Sequence, residues 1–355
     1  MELKLCGRYV GDNRPCFIIA EAGVNHNGDL DKAKRLVEAA REAGADAVKF
    51  QTFRADKLAT TDAKKADYQI QTTGPNESQR DMLARLALTE EAHLALLAHS
   101  KAHGMRFLST PSDEASADFL ATLGICAMKV SSADITDTRL LARIASKGLP
   151  TILSTGMSTI GEVEDAVTTI RRNGNDQLVL LQCSFIYPAP PESVNLRAMQ
   201  TLRQAFGCLV GYSDHTLGIA IAPAAVALGA CIVEKHLTLD RTLPGPDHRA
   251  SLEPGDFRQM VQHIRTVEMA MGLGIKEPLG EEVQNRLVSR KSVVAAKAIH
   301  KGASITVDML TVKRPGTGIP PAQLEFIVGH SALIDIDADQ MLSWQMFGGH
   351  AQGRQ

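Results

Sequence analysis

The sequence predicts an α/β protein in which a (β/α)8 barrel is followed by a small, mostly β domain. Two observations carry this prediction: short apolar runs alternate with helical patterns eight times between residues 16 and 272, and the alternation stops near residue 290. Strict alternation indicates a parallel sheet, because each crossover helix returns the chain to the same edge. Eight units in about 250 residues match a TIM barrel.

The first unit sets the pattern for the others. An apolar strand, 16–20, is followed by the loop 21–28, and Asp29 can cap a helix that continues to about Ala43. The other predicted strands are 45–51, 105–109, 126–131, 150–154, 178–182, 208–212 and 230–234. The other predicted helices are 89–103, 114–123, 137–147, 160–172, 219–228 and 254–271.

Several segments fall outside this alternation. Residues 1–15 are predicted as a polar leader, and residues 53–80 as a long excursion without strong periodicity, which favours a lid or binding loop. The predicted domains are the barrel over 1–272, a linker with a short charged helix over 273–289 and the small domain over 290–350. The residues from Gly348 onward are predicted to form a disordered tail.

The main competing fold is an open, doubly wound sheet. That fold usually carries a glycine-rich phosphate-binding turn after its first strand. The sequence contains no GxGxxG motif, which favours the barrel.

Composition limits the class of protein. The chain has 355 residues, 44% hydrophobic and 4% aromatic, which fits an aliphatic core. A net charge of -2 provides no general attraction for nucleic acid or a membrane surface. No apolar run approaches the roughly 20 residues of a membrane span, and no signal-peptide core is evident. We therefore expect a cytoplasmic protein whose cysteines are buried thiols, namely Cys6, Cys16, Cys126, Cys183, Cys208 and Cys231.

Two apolar runs end on histidine. Gly211–His215 closes the seventh predicted strand and Val233–His236 closes the eighth. If these strands are neighbours, the two imidazoles lie side by side. With water and substrate in the remaining positions, they form an open site for a divalent cation.

Two lysines interrupt otherwise apolar strands. Lys49 and Lys129 follow Val48 and Met128, and a buried lysine is unfavourable unless it meets an anion. With the hydroxyl groups at the strand ends, they predict a cradle for a small polyanion such as a phosphate ester.

Carboxylates complete the predicted site. Glu21 and Asp134 are candidate acid/base groups. Strand ends form the active site in such barrels, so the combination predicts metal-assisted carbon–carbon bond formation with a phosphorylated partner.

The barrel motifs are Ile19–Gly28, Lys49–Thr52, Ser109–Pro111, Ser154–Met157, Gly211–His215, Glu234–His236 and Gly245–His248. Together they resemble the sialic acid synthase family, which joins phosphoenolpyruvate to an N-acylated mannosamine-type sugar. The resemblance extends from about residue 16 to 347. The segment Lys313–Gly318 resembles the signature of that family's C-terminal antifreeze-like (SAF) domain.

The resemblance implies roles for individual residues. Glu21 matches the catalytic glutamate, Asp134 is a second catalytic carboxylate, and His215 and His236 would bind Mn²⁺, with Mg²⁺ or Co²⁺ as alternatives. Arg314 would reach the barrel mouth of a partner subunit, which implies a homodimer with swapped SAF domains. The residues implied for phosphoenolpyruvate are Lys49, Thr110, Lys129, Ser132, Ser154 and Ser213. Those implied for the sugar are Gln51, Tyr187, Asp247 and Arg314.

Two positions depart from the family pattern. Asp134 replaces a usual glutamate that is one methylene longer, and Phe185 stands where many sialic acid synthases have an asparagine near the N-acyl group. An aromatic ring at Phe185 favours a deoxygenated sugar.

The main expected activity is N-acetylneuraminate synthase. The alternative is a legionaminic acid synthase that uses 2,4-diacetamido-2,4,6-trideoxymannose. More distant alternatives are a Schiff-base aldolase that uses Lys49 or Lys129, and a non-catalytic sugar-binding or ice-binding module.

Overall fold

The computed structural model describes residues 1–350, and the side chains of residues 1–348. The chain forms two compact units, Met1–Gly272 and a second unit that begins at Leu273. The tail predicted to be disordered falls partly outside the described residues, and its first residues belong instead to a strand, Phe347–His350.

The chain begins with an antiparallel hairpin made of β1 (Glu2–Leu5) and β2 (Arg8–Gly11). The prediction of a polar leader is therefore wrong. Leu5 and Val10 are fully buried and pack with apolar side chains of the barrel interior. These few apolar residues form strands because the barrel provides a surface on which to bury them.

A disulfide attaches this hairpin to the barrel. It joins Cys6 to Cys126, which lies 120 positions further along the chain. The prediction of free thiols is wrong for this pair, because sequence spacing does not reveal which distant cysteines the fold brings together. Cys16, Cys183, Cys208 and Cys231 are free and buried.

Eight parallel strands form the first unit's main sheet, in the order β5-β4-β3-β10-β9-β8-β7-β6. The terminal strands β5 and β6 contact each other, so the sheet is a nearly closed barrel. The predicted fold class is confirmed. The strands are β3 (Phe17–Gly23), β4 (Ala47–Thr52), β5 (Arg106–Pro111), β6 (Met128–Val130), β7 (Thr151–Ser154), β8 (Leu178–Cys183), β9 (Leu209–Asp214) and β10 (Ile232–His236).

Helices follow the strands, and Asp29 caps the first by accepting hydrogen bonds from the backbone N–H groups of Asp31 and Lys32. The helices before β9 are α1 (Leu30–Glu42), α2 (Ala55–Leu58), α3 (Asp67–Thr73), α4 (Gln79–Leu86), α5 (Glu90–Ala102), α6 (Glu114–Thr122), α7 (Thr138–Ala145), α8 (Ile160–Arg172) and α9 (Ala198–Phe206). The later helices are α10 (Ile221–Ala227), α11 (Pro254–Met271), α12 (Gly280–Ser289) and α13 (Leu324–Ile327).

Two connections within the barrel contain helices that the sequence patterns did not predict. The link between β8 and β9 contains α9, and the excursion after β4 folds into α2, α3 and α4. In the excursion, α2 and α3 bury no residue and α4 buries Met82 and Leu86, so little apolar periodicity marks these three helices. Their stability therefore depends on packing against the barrel more than on their own sequence.

Alternation along the strands separates two apolar layers. In β3, Phe17 and Ile19 belong to the cluster inside the barrel, whereas Ile18 and Ala20 belong to the cluster between the strands and helices. The inner cluster packs with the N-terminal hairpin and fills that end of the barrel. Polar side chains occupy the other end.

The second unit contains two antiparallel strand pairs around its own apolar cluster. Val293, Ile299 and Leu342 are among its buried residues. Across residues 1–350, no helix has the combination of length and hydropathy needed to span a membrane. The strands are β11 (Ser292–Ala295), β12 (Leu310–Lys313), β13 (His330–Ala332) and β14 (Phe347–His350).

Candidate active site

A cavity of about 500 Å³ lies at the carboxyl ends of the barrel strands. It collects the predicted site residues from all eight strands or from the loops that follow them. The predicted residues that line it are Glu21, Lys49, Gln51, Thr110, Lys129, Ser132, Asp134, Ser154, Tyr187, Ser213, His215, His236 and Asp247. Arg314 belongs to the second unit, where its side chain is exposed.

The two histidines are neighbours because β9 and β10 pair in register. Ser213 lies opposite Glu234 and Asp214 opposite Lys235, so His215, which directly follows β9, comes out beside His236 at the end of β10. The two ring centroids are 5.4 Å apart. Gly211 allows this close pairing, since a Cβ there would lie 2.5 Å from the carbonyl oxygen of Ile232.

A fully buried ion pair supports these strand ends from behind. The Lys235 ammonium donates to an Asp214 carboxylate oxygen at 2.9 Å, and both side chains are 0% exposed. The other Asp214 oxygen accepts hydrogen bonds from the Thr216 backbone N–H and hydroxyl. This network fixes the backbone on either side of His215.

Both histidines are suited to binding a metal. Nδ1 of His215 lies 2.6 Å from the carbonyl oxygen of Ser184, so it donates there and leaves Nε2 as the acceptor. Nδ1 of His236 is buried and has no hydrogen-bond partner among the described residues. Burial and the His215 ring lower the pKa of His236 well below its usual value, which favours the neutral, metal-binding form.

Glu234 lies between the two lysines. Its carboxylate oxygens are each 3.8 Å from an ammonium, one from Lys49 and one from Lys129. Burial acts to raise the pKa of Glu234, but the two ammonium groups hold that pKa below its usual value. Ser213 donates a hydrogen bond to the same carboxylate at 3.2 Å.

Glu21 forms a closer pair with Lys49, at 2.7 Å, and both side chains are 3% exposed. Burial outweighs the attraction of Lys49 and raises the pKa of Glu21 to about 7. Gln51 donates to the other Glu21 oxygen at 3.3 Å. A carboxyl group with this pKa can exchange a proton with substrate near neutral pH.

Hydroxyl groups surround the lysines. Lys49 donates to the Thr110 hydroxyl at 2.9 Å, and Lys129 donates to the Ser154 hydroxyl at 2.7 Å. Ser132 accepts a hydrogen bond from the Gly156 backbone N–H at 2.9 Å. Two cations ringed by donors match the phosphate and carboxylate groups of a small anion.

An aromatic group forms another part of the cavity. The Tyr187 ring packs on His215, with the centroids 4.2 Å apart, and stacks with Tyr68 at 5.2 Å. Phe185 meets Tyr187 edge-on at 5.3 Å. Asp247 lies 4.0 Å from Nδ1 of His236, and burial raises its pKa to about 6.

Helix α4 gives the cavity an apolar wall. Met82, Leu83 and Leu86 of this helix line the cavity together with Val24. Met82, Leu86 and Val24 are buried in one cluster, which holds the wall in place. The excursion after β4 therefore shapes the cavity.

The sequence motifs gave no role to Glu234, Tyr68 or Cys183, although all three line the cavity. A signal for Glu234 was present, because it precedes His236 by two positions on a strand and must share its face. Tyr68 lies on a short helix whose position depends on tertiary packing. Cys183 lies 3.7 Å from Nδ1 of His215, which the sequence does not reveal.

Comparisons with known proteins agree with this architecture. The sequence pattern of the NeuB family matches residues 36–276, and that of the SAF domain matches residues 290–348. N,N'-diacetyllegionaminic acid synthase from Legionella pneumophila is 47% identical over 339 residues, covering 94% of this chain and 95% of the relative. The protein of the same name from Campylobacter jejuni is 48% identical over 328 residues, covering 92% of this chain and 98% of the relative.

A solved structure is similar as well. The N-acetylneuraminic acid (sialic acid) synthetase from Leptospira borgpetersenii serovar Hardjo-bovis, in complex with citrate, matches with a TM-score of 0.71 and 35% identity. The match covers 81% of this chain and 96% of that chain.

The fold and the cavity define a (β/α)8-barrel enzyme with a C-terminal SAF domain. The chain belongs to the NeuB family. The predicted resemblance to sialic acid synthases and the predicted SAF domain are both confirmed. The relatives are named as synthases of sialic and legionaminic acids, which confirms the prediction of an enzyme of this type.

Proposed function

We propose that this enzyme condenses phosphoenolpyruvate with 2,4-diacetamido-2,4,6-trideoxymannose and water, giving N,N'-diacetyllegionaminic acid and phosphate. The observation that carries the choice of sugar is the 47–48% identity to two legionaminic acid synthases over more than nine-tenths of this chain. This identity favours a legionaminic acid synthase, the alternative expectation from the sequence, over N-acetylneuraminate synthase, the main expectation.

The cavity supports this choice. The wall formed by Met82, Leu83 and Leu86, together with the ring of Phe185, offers apolar surface to a sugar. A trideoxy sugar with two acetamido groups has methyl groups that such surface can cover, where N-acetylmannosamine has hydroxyl groups. Gln51, Tyr187 and Asp247 supply polar contacts in the same cavity.

The lysine pair is the proposed site for phosphoenolpyruvate. Lys49 and Lys129 are neutralised here by Glu21 and Glu234. An incoming anion competes for the same ammonium groups, and Glu21 can accept a proton as it gives up Lys49 because its pKa is about 7. Binding of phosphoenolpyruvate therefore frees Glu21 from Lys49 and makes it a better proton acceptor for the reaction.

The donor set of His215 and His236 fits a divalent cation. Nε2 of His215 is left as an acceptor beside the cavity, and Nδ1 of His236 has no hydrogen-bond partner among the described residues. A bound cation would supply Lewis-acid polarisation of the sugar aldehyde. Mn²⁺ is the proposed ion, and His215 and His236 are its proposed ligands.

The remaining groups organise the reaction. Lys49 and Lys129 hold the three-carbon donor so that its C3 carbon faces the aldehyde, and the Tyr187 ring packs on His215 beside them. The new carbon–carbon bond leaves positive charge at C2, to which water adds. Glu21 or Asp134 accepts the proton of that water, and phosphate leaves as the keto group forms.

The test is a phosphate-release assay with phosphoenolpyruvate, Mn²⁺ and either 2,4-diacetamido-2,4,6-trideoxymannose or N-acetylmannosamine. We expect kcat/KM to be about 10- to 100-fold higher for the trideoxy sugar. Equal or better use of N-acetylmannosamine would show that the choice of sugar is wrong.

A variant separates the reaction type from the choice of sugar. His215→Ala should lose most turnover with either sugar, while its far-UV circular dichroism stays unchanged. Full activity of His215→Ala rejects the proposed metal ligand. Trapping of a pyruvate adduct by borohydride, combined with no phosphate release, would favour the Schiff-base aldolase instead.

A further inference from the structure

Three side chains of types that can bind a metal meet on the outside of the barrel, away from the cavity. Helices α1 and α5 pack against each other, and both run antiparallel to the strands. Their C-terminal turns therefore lie at the end of the barrel opposite the active site. Glu38 projects from α1, His99 lies in the last turn of α5, and His103 follows that helix as its C-cap.

The spacing within this group suits a single ion. Each of the three residues offers a ligand atom, and these atoms all lie within 4.8 Å of one another. His99 and His103 are one helical turn apart, with ring centroids 4.3 Å apart. Nε2 of His99 lies 3.0 Å from Oε1 of Glu38. Among the described residues, this is the one group of three His, Cys, Asp or Glu side chains whose ligand atoms lie this close together.

The hydrogen bonds of His103 prepare it as a ligand. Its Nδ1 lies 2.9 Å from the carbonyl oxygen of His99, and a carbonyl oxygen accepts hydrogen bonds but cannot donate them. Nδ1 therefore carries the proton, which leaves the lone pair on Nε2. A ring N–H that donates to a backbone carbonyl is the usual arrangement behind a metal-bound histidine.

The site is accessible but partly sheltered. The side chain of His99 is 20% exposed and that of Glu38 is 42% exposed. The Arg41 side chain lies beside the group and donates a hydrogen bond from Nε to the backbone oxygen of His103 at 3.3 Å.

We propose that Glu38, His99 and His103 bind a divalent first-row transition metal ion, with Zn²⁺ as the best match. Two imidazoles and one carboxylate with an open position are a common zinc ligand set. The ion replaces the hydrogen bond between His99 and Glu38 and joins α1 to α5. The site is separate from the His215 and His236 pair and stabilises the fold without taking part in the reaction.

Equilibrium dialysis against Zn²⁺ tests the proposal on chelator-treated, full-length enzyme. His103→Ala is the informative variant, because His103 is exposed and its loss leaves the core intact. We expect it to lose about one equivalent of bound Zn²⁺, with phosphate release unchanged. Glu38→Gln should weaken the same site by at least about 10-fold. Zn²⁺ should raise Tm in the wild type more than in His103→Ala.

The matched control is His263→Ala, which removes an exposed histidine from α11. It should bind as much Zn²⁺ as the wild type. Wild-type stoichiometry in His103→Ala, or an equal loss in His263→Ala, overturns the proposal. Wild-type affinity in Glu38→Gln would overturn the three-ligand site. None of these outcomes depends on which sugar the enzyme uses.

Discussion

Glu234 illustrates how one residue can control the charge of a buried site. It shares its carboxylate between Lys49 and Lys129, so the two ammonium groups stay charged without a bound anion. An unpaired buried ammonium would lose its proton to escape the cost of desolvation. Glu234 thus favours the protonated form of both lysines in the absence of a bound anion.

Phe185 provides a test of sugar selection at the scale of one side chain. Phe185→Asn replaces an apolar ring that lines the cavity with a hydrogen-bonding amide. We expect the preference for the trideoxy sugar over N-acetylmannosamine to fall by about 10-fold or more, because an apolar contact becomes a polar one. The ratio of kcat/KM values for the two sugars measures it.

Phe185→Leu is the control for that change, since it keeps the surface apolar. It should retain the preference even if turnover falls. A ratio that shifts equally in both variants would mean that cavity shape, rather than polarity, decides between the sugars.

Asp134 gives a pH prediction. Burial, followed by repulsion from Asp137, raises the pKa of Asp134 from 3.8 to about 6. The native state therefore binds more protons than the unfolded state between these values. Burying Asp134 in its protonated form therefore favours the native state relative to burying its carboxylate. This advantage is fully present below pH 3.8 and is lost as the pH rises through about 6.

Asp134→Asn mimics the protonated side chain and should remove this dependence. We expect the variant and the wild type to have similar free energies of unfolding at the acid end, with the variant becoming the more stable at neutral pH. Urea unfolding at a series of pH values measures the difference. Parallel pH profiles for the two proteins would contradict the prediction.

At the scale of elements, the ends of β9 and β10 depend on the ion pair between Lys235 and Asp214. Lys235→Met leaves a buried carboxylate without its cation, which typically costs about 3–5 kcal/mol in the free energy of unfolding. We expect a loss of this order in urea unfolding. Phosphate release should also fall, because the neighbouring His215 and His236 lose their alignment.

The double variant Asp214→Asn and Lys235→Met is the matched control. It removes both charges, so it should be more stable than Lys235→Met alone. If the single variant unfolds at the same urea concentration as the wild type, the ion pair has no structural role at these strand ends.

The elements also differ in how well the sequence predicts them. The barrel strands are continuous apolar runs, and Asp29 provides a recognisable helix cap, so these elements were predicted. The helices of the excursion were missed because α2 and α3 bury no residue and α4 buries Met82 and Leu86. Helix α9 did carry a signal, since Met199, Leu202 and Phe206 are spaced as on one helical face. The N-terminal hairpin was missed because its own sequence has few apolar residues. Leu5 and Val10 are buried only because the barrel packs against them.

For the whole molecule, the site residues of the barrel could be located because parallel strands end at one face. That rule brings Lys49, Lys129, His215 and His236 together without any knowledge of distances. The rule does not say which charged side chains pair with one another, which is why the position of Glu234 between the two lysines was not predicted. Pairings across the fold, such as Cys6 with Cys126, depend on register that no local pattern encodes.

The exchange of SAF domains that the family resemblance implies can be tested by a complementation experiment. Arg314→Ala and His215→Ala should each have low activity. If Arg314 serves the barrel of a partner subunit, mixed dimers contain one intact site. Random exchange of subunits should therefore restore about a quarter of wild-type phosphate release.

A mixture of His215→Ala with His236→Ala is the control, because both changes lie in the barrel and no intact site can form. Light scattering after size-exclusion chromatography gives the number of subunits. A monomer, or no recovery in the first mixture, would contradict the exchange.

The N-terminal hairpin has a consequence for the traffic of small molecules. Leu5 and Val10 fill one end of the barrel, and the disulfide from Cys6 to Cys126 holds the hairpin there. The hairpin thus closes the end of the barrel that lies opposite the carboxyl ends of the strands. Under the proposed function, phosphoenolpyruvate and the sugar would both enter from the carboxyl ends of the strands, and phosphate and the nine-carbon product would leave from the same side.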